Sequence, residues 1–280
     1  MNAIEIRNVT KKYPGFSLEN LNLTLPSGCI LGLIGENGAG KSTTIKLILD
    51  MIHKDSGSIT VLGKDNRDRL ELTKEDIGVV MDDVGIPHCL TVRQVGKVMK
   101  NTFRNWDEAQ YYNLIGKLSL PENKPFKDFS RGMKMKLGIA IALSHHAKLL
   151  ILDEATSGLD PVVRDEVVQM LSDFTREEDH SILISSHIVS DLEKLCDYVA
   201  FLHRGKLILC EEKDQLLAHY GLIHCSAEAL QALPVDAVKY RKENPYGVQA
   251  VVLRSAVPQG LSVSPISIEE LFVFMVKEAR

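Results

Sequence analysis

The chain lacks the features that would carry it out of the cell or through a membrane. Its five cysteines, Cys29, Cys89, Cys196, Cys210 and Cys225, are odd in number, scattered and never spaced C-x-x-C. That argues against a disulfide framework or a thiolate zinc site and suits a reducing cytoplasm. No run of about eighteen apolar residues occurs, the length a membrane-spanning helix needs. The N-terminus, Met1-Asn2-Ala3-Ile4-Glu5-Ile6, carries an early acid and no apolar h-region. We therefore expect a chain that is neither secreted nor membrane-spanning by itself. A basic excess is also missing: 33 lysines and arginines stand against 37 aspartates and glutamates, a net charge of −4. The balance supplies no general attraction to nucleic acid or anionic lipid. No internal repeat and no low-complexity tract is found. With 45% hydrophobic residues over 280 positions, the chain can bury a sizeable core, as one large domain or a main domain with an appendage.

What is present is led by Gly35-Glu36-Asn37-Gly38-Ala39-Gly40-Lys41-Ser42, which fits G-x-x-x-x-G-K-[ST], the loop that wraps a nucleotide's phosphates. Its context fits as well. The apolar run Ile30-Leu31-Gly32-Leu33-Ile34 before it reads as a buried strand, and Thr43 to Met51 after it as a helix. Glycines at 35, 38 and 40 permit positive φ and close backbone approach, so successive N–H groups can point at phosphate oxygens near a helix's positive end. In that arrangement Lys41 reaches the β and γ phosphates and Ser42 offers its hydroxyl to Mg²⁺. The pattern predicts ATP or GTP as ligand.

A second group of residues belongs with the first. Leu149-Leu150-Ile151-Leu152-Asp153-Glu154 reads as a buried strand ending in two carboxylates, at the edge where open α/β sheets bind ligands. Beside a Mg²⁺-nucleotide, Asp153 can hold the metal and Glu154 can polarise the water that attacks the γ-phosphate. Alone, the two acids could be a solvated strand end. Ser130-Arg131-Gly132-Met133 opens a helix with Ser130 as N-cap; that start is either ordinary capping or a further anion site. His187 ends the strand beginning at Ser181, where an imidazole is either incidental or placed to bond a phosphate or the attacking water.

Along the chain, residues 3 to 34 alternate with turns at Tyr13-Pro14-Gly15 and Pro26-Ser27-Gly28, predicting short antiparallel strands joined by Ser58 to Leu62. After a strand over Ile77 to Met81 come three helical patterns, Thr91 to Asn101, Asp107 to Lys117 and Ser130 to Ser144, which read as a helical insertion. Parallel-sheet grammar then returns: Leu149 to Leu152, a helix from Pro161 to about Glu177 with Asp160 as N-cap, a strand from Ser181, and a helix through Cys196. Tyr198 to His203 and Lys206 to Cys210 predict a hairpin through Arg204-Gly205. From about Tyr220 the sequence loosens, with strands near Val235 to Arg241 and Val248 to Leu253 and a last helix from Ile268 to Lys277.

Taken in order, these landmarks resemble the ATP-binding cassette (ABC) family over roughly residues 3 to 215. Gly35 to Thr43 matches its Walker A, Ile151-Leu152-Asp153-Glu154 its Walker B with the catalytic glutamate, Ser157-Gly158-Leu159-Asp160 its D-loop and Ser185-Ser186-His187 its switch histidine. Phe129-Ser130-Arg131-Gly132-Met133 occupies the place of the family signature, in the S-R-G-M form of a bacterial exporter-type branch. The resemblance implies an α/β fold: a P-loop NTPase (RecA-like) core with an antiparallel β subdomain, a helical insertion and a small C-terminal α/β appendage. It implies an ATP-binding domain over 1–219, its helical subdomain at about 84–146, and an accessory domain over 220–280.

The same resemblance implies an ATPase subunit that dimerises on ATP, as a homodimer or with a related cassette, each site joining one chain's Walker motifs to the other's signature. It would energise a separate membrane permease from the inner face of the cell membrane, with no nucleic-acid partner. Gly35, Asn37, Gly38, Ala39, Gly40, Lys41, Ser42, Thr43 and Asp153 would bind ATP, with Ser130 and Gly132 contributing from the opposite subunit and Tyr13 stacking on adenine or serving only as a turn residue. Glu154 and His187 would be catalytic; Ser42, Asp82 and Asp153 would hold Mg²⁺. The chain departs from the family pattern at Asp82, where a glutamine is usual and which Asp83 replaces if the loop shifts by one. It departs again at Arg131, in place of a glycine, and at Met133, in place of a glutamine. Phe103, Trp106, Tyr111 and Tyr112 are either core of the helical insertion or lining of the groove where a permease helix docks. Two alternatives remain: a soluble regulatory or assembly ATPase using the same closing dimer, and a P-loop metabolite kinase, which leaves Ser130 to Met133 and His187 unexplained.

Overall fold

The computed structural model describes residues 1–67, 74–244, 247–258 and 261–278; the parts of the expected 1–219 and 220–280 units at 68–73, 245–246, 259–260 and 279–280 lie outside the described residues. The chain opens with β1 (Asn2–Tyr13) and β2 (Phe16–Pro26), joined across Pro14-Gly15, and then runs through β3 (Ile30–Gly35) and helix α1 (Lys41–Ile48). It returns with β4 (Ser56–Val61) and β5 (Lys64–Asp65), so that an antiparallel sheet forms in the order β2-β1-β4-β5. Next come β6 (Ile77–Val80) and three helices, α2 (Val92–Thr102), α3 (Glu108–Lys117) and α4 (Arg131–Ala142). The alternating part follows as β7 (Leu149–Asp153), α5 (Pro161–Phe174), β8 (Ser181–Ser186), α6 (Val189–Leu195), β9 (Tyr198–His203) and β10 (Lys206–Glu212).

The central sheet has the order β10-β9-β3-β8-β7-β6. Strands β9, β3, β8, β7 and β6 run parallel to one another, and β10, at the edge, pairs antiparallel with β9. Every residue of β3, β7 and β8 is buried, because layers cover both faces of a parallel sheet; this is why these strands read as continuous apolar runs. One face packs with α1 and the antiparallel sheet around Leu31, Leu33, Ile45, Leu149 and Leu183. The other packs with α4, α5 and α6 around Ile34, Leu150, Val167, Ile184 and Leu192. The helical insertion has a core of its own, including Val95, Tyr111, Ile115, Phe126 and Leu137.

The last part comprises α7 (Lys213–His219), β11 (Tyr220–Cys225), α8 (Ala227–Gln231), β12 (Val238–Asn244), β13 (Gly247–Leu253) and α9 (Ile268–Glu278), with its strands in the order β11-β13-β12. Several boundaries differ from expectation. Helix α1 starts at Lys41, two residues early, and ends at Ile48 where Leu49 takes the C-cap; α5 stops at Phe174. Val235–Ala237 forms a 3-10 turn behind Pro234, and β12 begins only at Val238. Helix α7 and strand β11 have no counterpart in the sequence expectation. Phe103 and Trp106 face inward: Phe103 stacks on His145 with ring centres 4.1 Å apart and on Trp106 at 6.4 Å. Tyr111 is fully buried and its hydroxyl donates to Val92 O at 2.9 Å.

Candidate functional site

The parallel register decides where the chemistry gathers. Ile34 lies level with Ser186, Asp153 with Ser185, and Val80 with Leu152. The carboxyl ends of β3, β7, β8 and β6 therefore open on one edge of the sheet and present the 35–42 loop, Glu154, His187 and Asp82 to a common space, as open α/β sheets do. That space is a cavity of about 800 Å³ lined by Glu36, Asn37, Gly38, Gly40, Lys41, Ser42, Thr43, Asp82, Arg131, Glu154, Ser157 and His187, with Gly15 and Phe16 at one end.

The loop is shaped to hold an anion. Gly40 caps α1 in the left-handed region at φ +113°, and a Cβ there would lie 3.0 Å from Leu18 Cδ1 and Phe16 Cζ, so only glycine fits. No side chain caps α1 and no acid stands in its first turn, which leaves the helix's positive end to the cavity. A Cβ at Gly38 would meet no atom within 4 Å; the space above the loop is free for phosphates. Gly35 and Ala39 lie buried beneath it, and Gly205 N donates to Ala39 O at 2.9 Å, bracing the loop from the β9–β10 turn.

Lys41, only 6% exposed, is drawn back along this loop: its Nζ donates to Gly35 O at 2.7 Å and to Glu36 O at 3.4 Å, and lies 3.3 Å from Glu154 Oε1. The other carboxylate oxygen of Glu154 is 2.5 Å from His187 Nδ1. Glu154 occupies the left-handed region at φ +56°, a conformation that costs a residue with a side chain about 1–2 kcal/mol. It is held there by its own N–H, which donates to Ser185 O and Ser185 Oγ, each at 3.1 Å. The Ser185 hydroxyl in turn donates to Asp153 Oδ1 at 2.6 Å. Asp153 is 2% exposed and sits behind Glu154 rather than on the cavity wall. A water beside Glu154 would thus face whatever the loop holds, with a carboxylate to take its proton.

In the same cavity Arg131 Nη2 donates to Asp82 Oδ1. Asp82 is the acid of its loop that reaches the cavity; with Arg131 it also lines a smaller pocket, where Asp83 sits beside Val84 and Lys134. Ser130 caps α4, its Oγ accepting from Met133 N at 3.3 Å, and is exposed. Neither Ser130 nor Gly132 lines the cavity of its own chain. Tyr13 lies beyond it, in an adjoining groove with Lys12, Phe16, Ser17 and Arg204, under the ammonium of Lys11 at 5.3 Å. Sequence reasoning missed Phe16, which sits between the two spaces; no spacing rule marks it, and only the hairpin turn at Pro14-Gly15 brings it there. The pairing of Arg131 with Asp82 was equally hidden, since 49 positions separate the two.

A triphosphate loop, a strand-end Asp-Glu pair and a strand-end histidine on one sheet edge call for comparison with known ATPases. The "ABC transporter" family model matches residues 18–157. The lantibiotic transport ATP-binding protein SrtF of Streptococcus pyogenes is 39% identical over 214 residues, covering 75% of this chain and 91% of that protein. The ABC transporter ATP-binding protein YtrB of Bacillus subtilis is 28% identical over 283 residues, covering 96% and 97%. Among solved structures, an ATP-binding subunit of an ABC transporter superposes with a TM-score of 0.69 at 26% identity, covering 76% of this chain and 91% of that one. With the order of its motifs, its fold and its relatives in agreement, the chain belongs to the ABC transporter family, as an ATP-binding and ATP-hydrolysing subunit.

Proposed function

We propose that Glu154 is the general base of ATP hydrolysis in this subunit, with His187 and Lys41 fixing its carboxylate. The observation that carries the proposal is the convergence of the three groups on one wall of the phosphate-loop cavity, Lys41 at 3.3 Å and His187 at 2.5 Å from the two carboxylate oxygens. Lys41 is positioned to exchange Glu154 and the loop carbonyls for the β and γ phosphates, which would leave Glu154 free to orient water. The N–H groups of Gly38 to Thr43 would cradle the phosphates, and Tyr13 or Phe16 would meet the base through the adjoining groove. Mg²⁺, when bound, would neutralise phosphate charge and polarise the γ-phosphoryl group. Ser42 and Asp82 on the cavity wall, with Asp153 behind Glu154, form an oxygen-only donor set that suits this ion.

The subunit would act in pairs, as a homodimer or with a related cassette, the exposed Ser130 and the half-buried Gly132 of one copy closing on the phosphates in the other. ATP-driven closing would energise a separate permease on the inner face of the membrane, in an exporter of the bacterial type. We place the nucleotide-binding unit at 1–219, with its helical subdomain at about 84–146, and an accessory unit at 220–280. The separate cores of the helical insertion and of the last sheet support these limits.

The test is Glu154→Gln, which keeps shape and removes the base. Hydrolysis should fall by about 10²–10⁴-fold while ATP binding persists, and a stable ATP-bound dimer should accumulate in light scattering. Turnover at the wild-type rate would refute the assignment.

A further inference from the structure

One acid stands inside the loop that has to hold an anion. Glu36 is the only carboxylate from Gly35 to Thr43, and it lines the same cavity as Lys41, Ser42 and Thr43. Its backbone belongs to the loop's own turn: Glu36 O accepts from Ala39 N at 3.0 Å and from Lys41 Nζ at 3.4 Å. Its side chain, 52% exposed, reaches to the end of β9, where Oε2 lies 3.4 Å from His203 Nδ1. His203 itself does not line the cavity.

Packing alone does not account for His203. It is 5% exposed, and among the described residues neither of its ring nitrogens makes a hydrogen bond. Burying a polar ring without partners costs stability that an apolar side chain at the same place would keep. Its contact with Glu36 is an attraction to a carboxylate rather than an aligned bond. The ring is also fixed from both sides. Leu202, one residue before, lies level with Gly35 of β3, and Gly205, two residues after, donates to Ala39 O and accepts from Glu19 N, each at 2.9 Å. The imidazole thus stands on a braced strand end, beside the one side chain of the loop whose charge opposes a phosphate. A carboxylate released from it would be free to swing into the cavity, where like charge would repel a phosphate.

We propose that His203 is a positioning residue of the phosphate loop: by holding the Glu36 carboxylate at the end of β9, it keeps the loop's own negative charge off the place of the triphosphate. This rests on the reading that the loop holds a nucleotide's phosphates. The arrangement leaves Lys41 as the loop's charge that faces them. Its effect belongs to binding, because Glu154 and His187 are held by each other and by Ser185 at the ends of β7 and β8.

The test measures equilibrium binding and steady-state hydrolysis of ATP by the full chain. His203→Phe fills the buried site without the ring nitrogens, whereas Glu36→Asp leaves that site untouched and keeps the charge on a stem too short to reach the imidazole. Each should weaken ATP binding roughly three- to tenfold, the size expected for one charge near a phosphate in a wet site, with kcat within about twofold. Glu36→Gln should bind ATP at least as tightly as the wild type, and adding His203→Phe to it should change the affinity by less than about twofold. A merely structural histidine would show no such rescue. Wild-type affinity in Glu36→Asp, or in a folded His203→Phe, overturns the proposal, as does a loss that persists beside Glu36→Gln. Where His203→Phe does not fold, the two variants at 36 decide: weaker binding in Glu36→Asp alone supports the proposal, and equal binding in both overturns it. Lys41→Ala separates the two readings: lost binding there with flat responses at 36 and 203 rejects the hold on Glu36 alone, whereas normal binding in Lys41→Ala rejects the phosphate-loop reading beneath it.

Discussion

The hydroxyl of Ser185 joins the two acids of the site: it donates to Asp153 Oδ1 at 2.6 Å and accepts from Glu154 N at 3.1 Å, in a fully buried position. Ser185→Ala leaves a buried carboxylate oxygen without its donor, a loss of about 1–3 kcal/mol, and loosens the left-handed turn that aims Glu154. Turnover should fall about tenfold while the affinity for ATP stays within about twofold, read by steady-state hydrolysis and equilibrium binding; unchanged turnover would remove Ser185 from the positioning of the pair. Residues of this kind mark the limit of what a linear pattern carries. Gly35 to Thr43, Asp153, Glu154 and His187 were legible because each lies within a few residues of a strand end, and a parallel sheet collects strand ends on one edge. Phe16 and the contact of Arg131 with Asp82 depend on how separate elements meet, and neither spacing nor composition encodes that.

Elements were legible where local chemistry names an end. Asp160 caps α5 by accepting from Val163 N at 3.1 Å, with Pro161 at the first helical position, and Thr91 with Gln94 closes a capping box on α2. Asp160→Ala should cost about 1 kcal/mol, measured as a lower denaturant midpoint at unchanged slope; no change would mean that packing of α5 alone sets its start. Helix α7 escaped notice because it buries only Leu216, too little for a helical period. Strand β11 escaped because Gly221 interrupts its alternation, and its register comes from pairing Tyr220 with Leu253 and Cys225 with Val248. In α3 burial carries a pH signature. It pushes the phenol of Tyr111 up from its ordinary value near 10, so the folded chain holds the proton more tightly than the unfolded chain does. Stability should therefore be unaffected below about pH 10 and fall as pH rises above it. Tyr111→Phe should flatten that alkaline loss while lowering stability at neutral pH by about 1 kcal/mol, for the hydrogen bond to Val92 O.

At the scale of the whole molecule, the question is whether the last sixty residues stand apart from the nucleotide-binding part. Their sheet has a small core of its own around Ile223, Ala250 and Val252, yet α9 buries Leu271, Phe272 and Met275 in the same cluster as Ile184, Leu192 and Phe201 of the central sheet and its helices. Phe272 meets Phe201 edge to face with ring centres 5.2 Å apart. Leu143, at the end of α4, packs against both this cluster and the core of the helical insertion, so apolar contact runs unbroken from α9 to the single tryptophan, Trp106. A cavity at Leu271, which is fully buried, should therefore be felt far from α9. Leu271→Ala is expected to cost about 2–5 kcal/mol, and the fluorescence of Trp106 should lose its structure at the same lowered denaturant midpoint as the far-ultraviolet circular dichroism. An early dichroism phase followed by an unshifted Trp106 transition would show instead that residues 220–280 unfold by themselves and that the shared cluster does not couple the two parts.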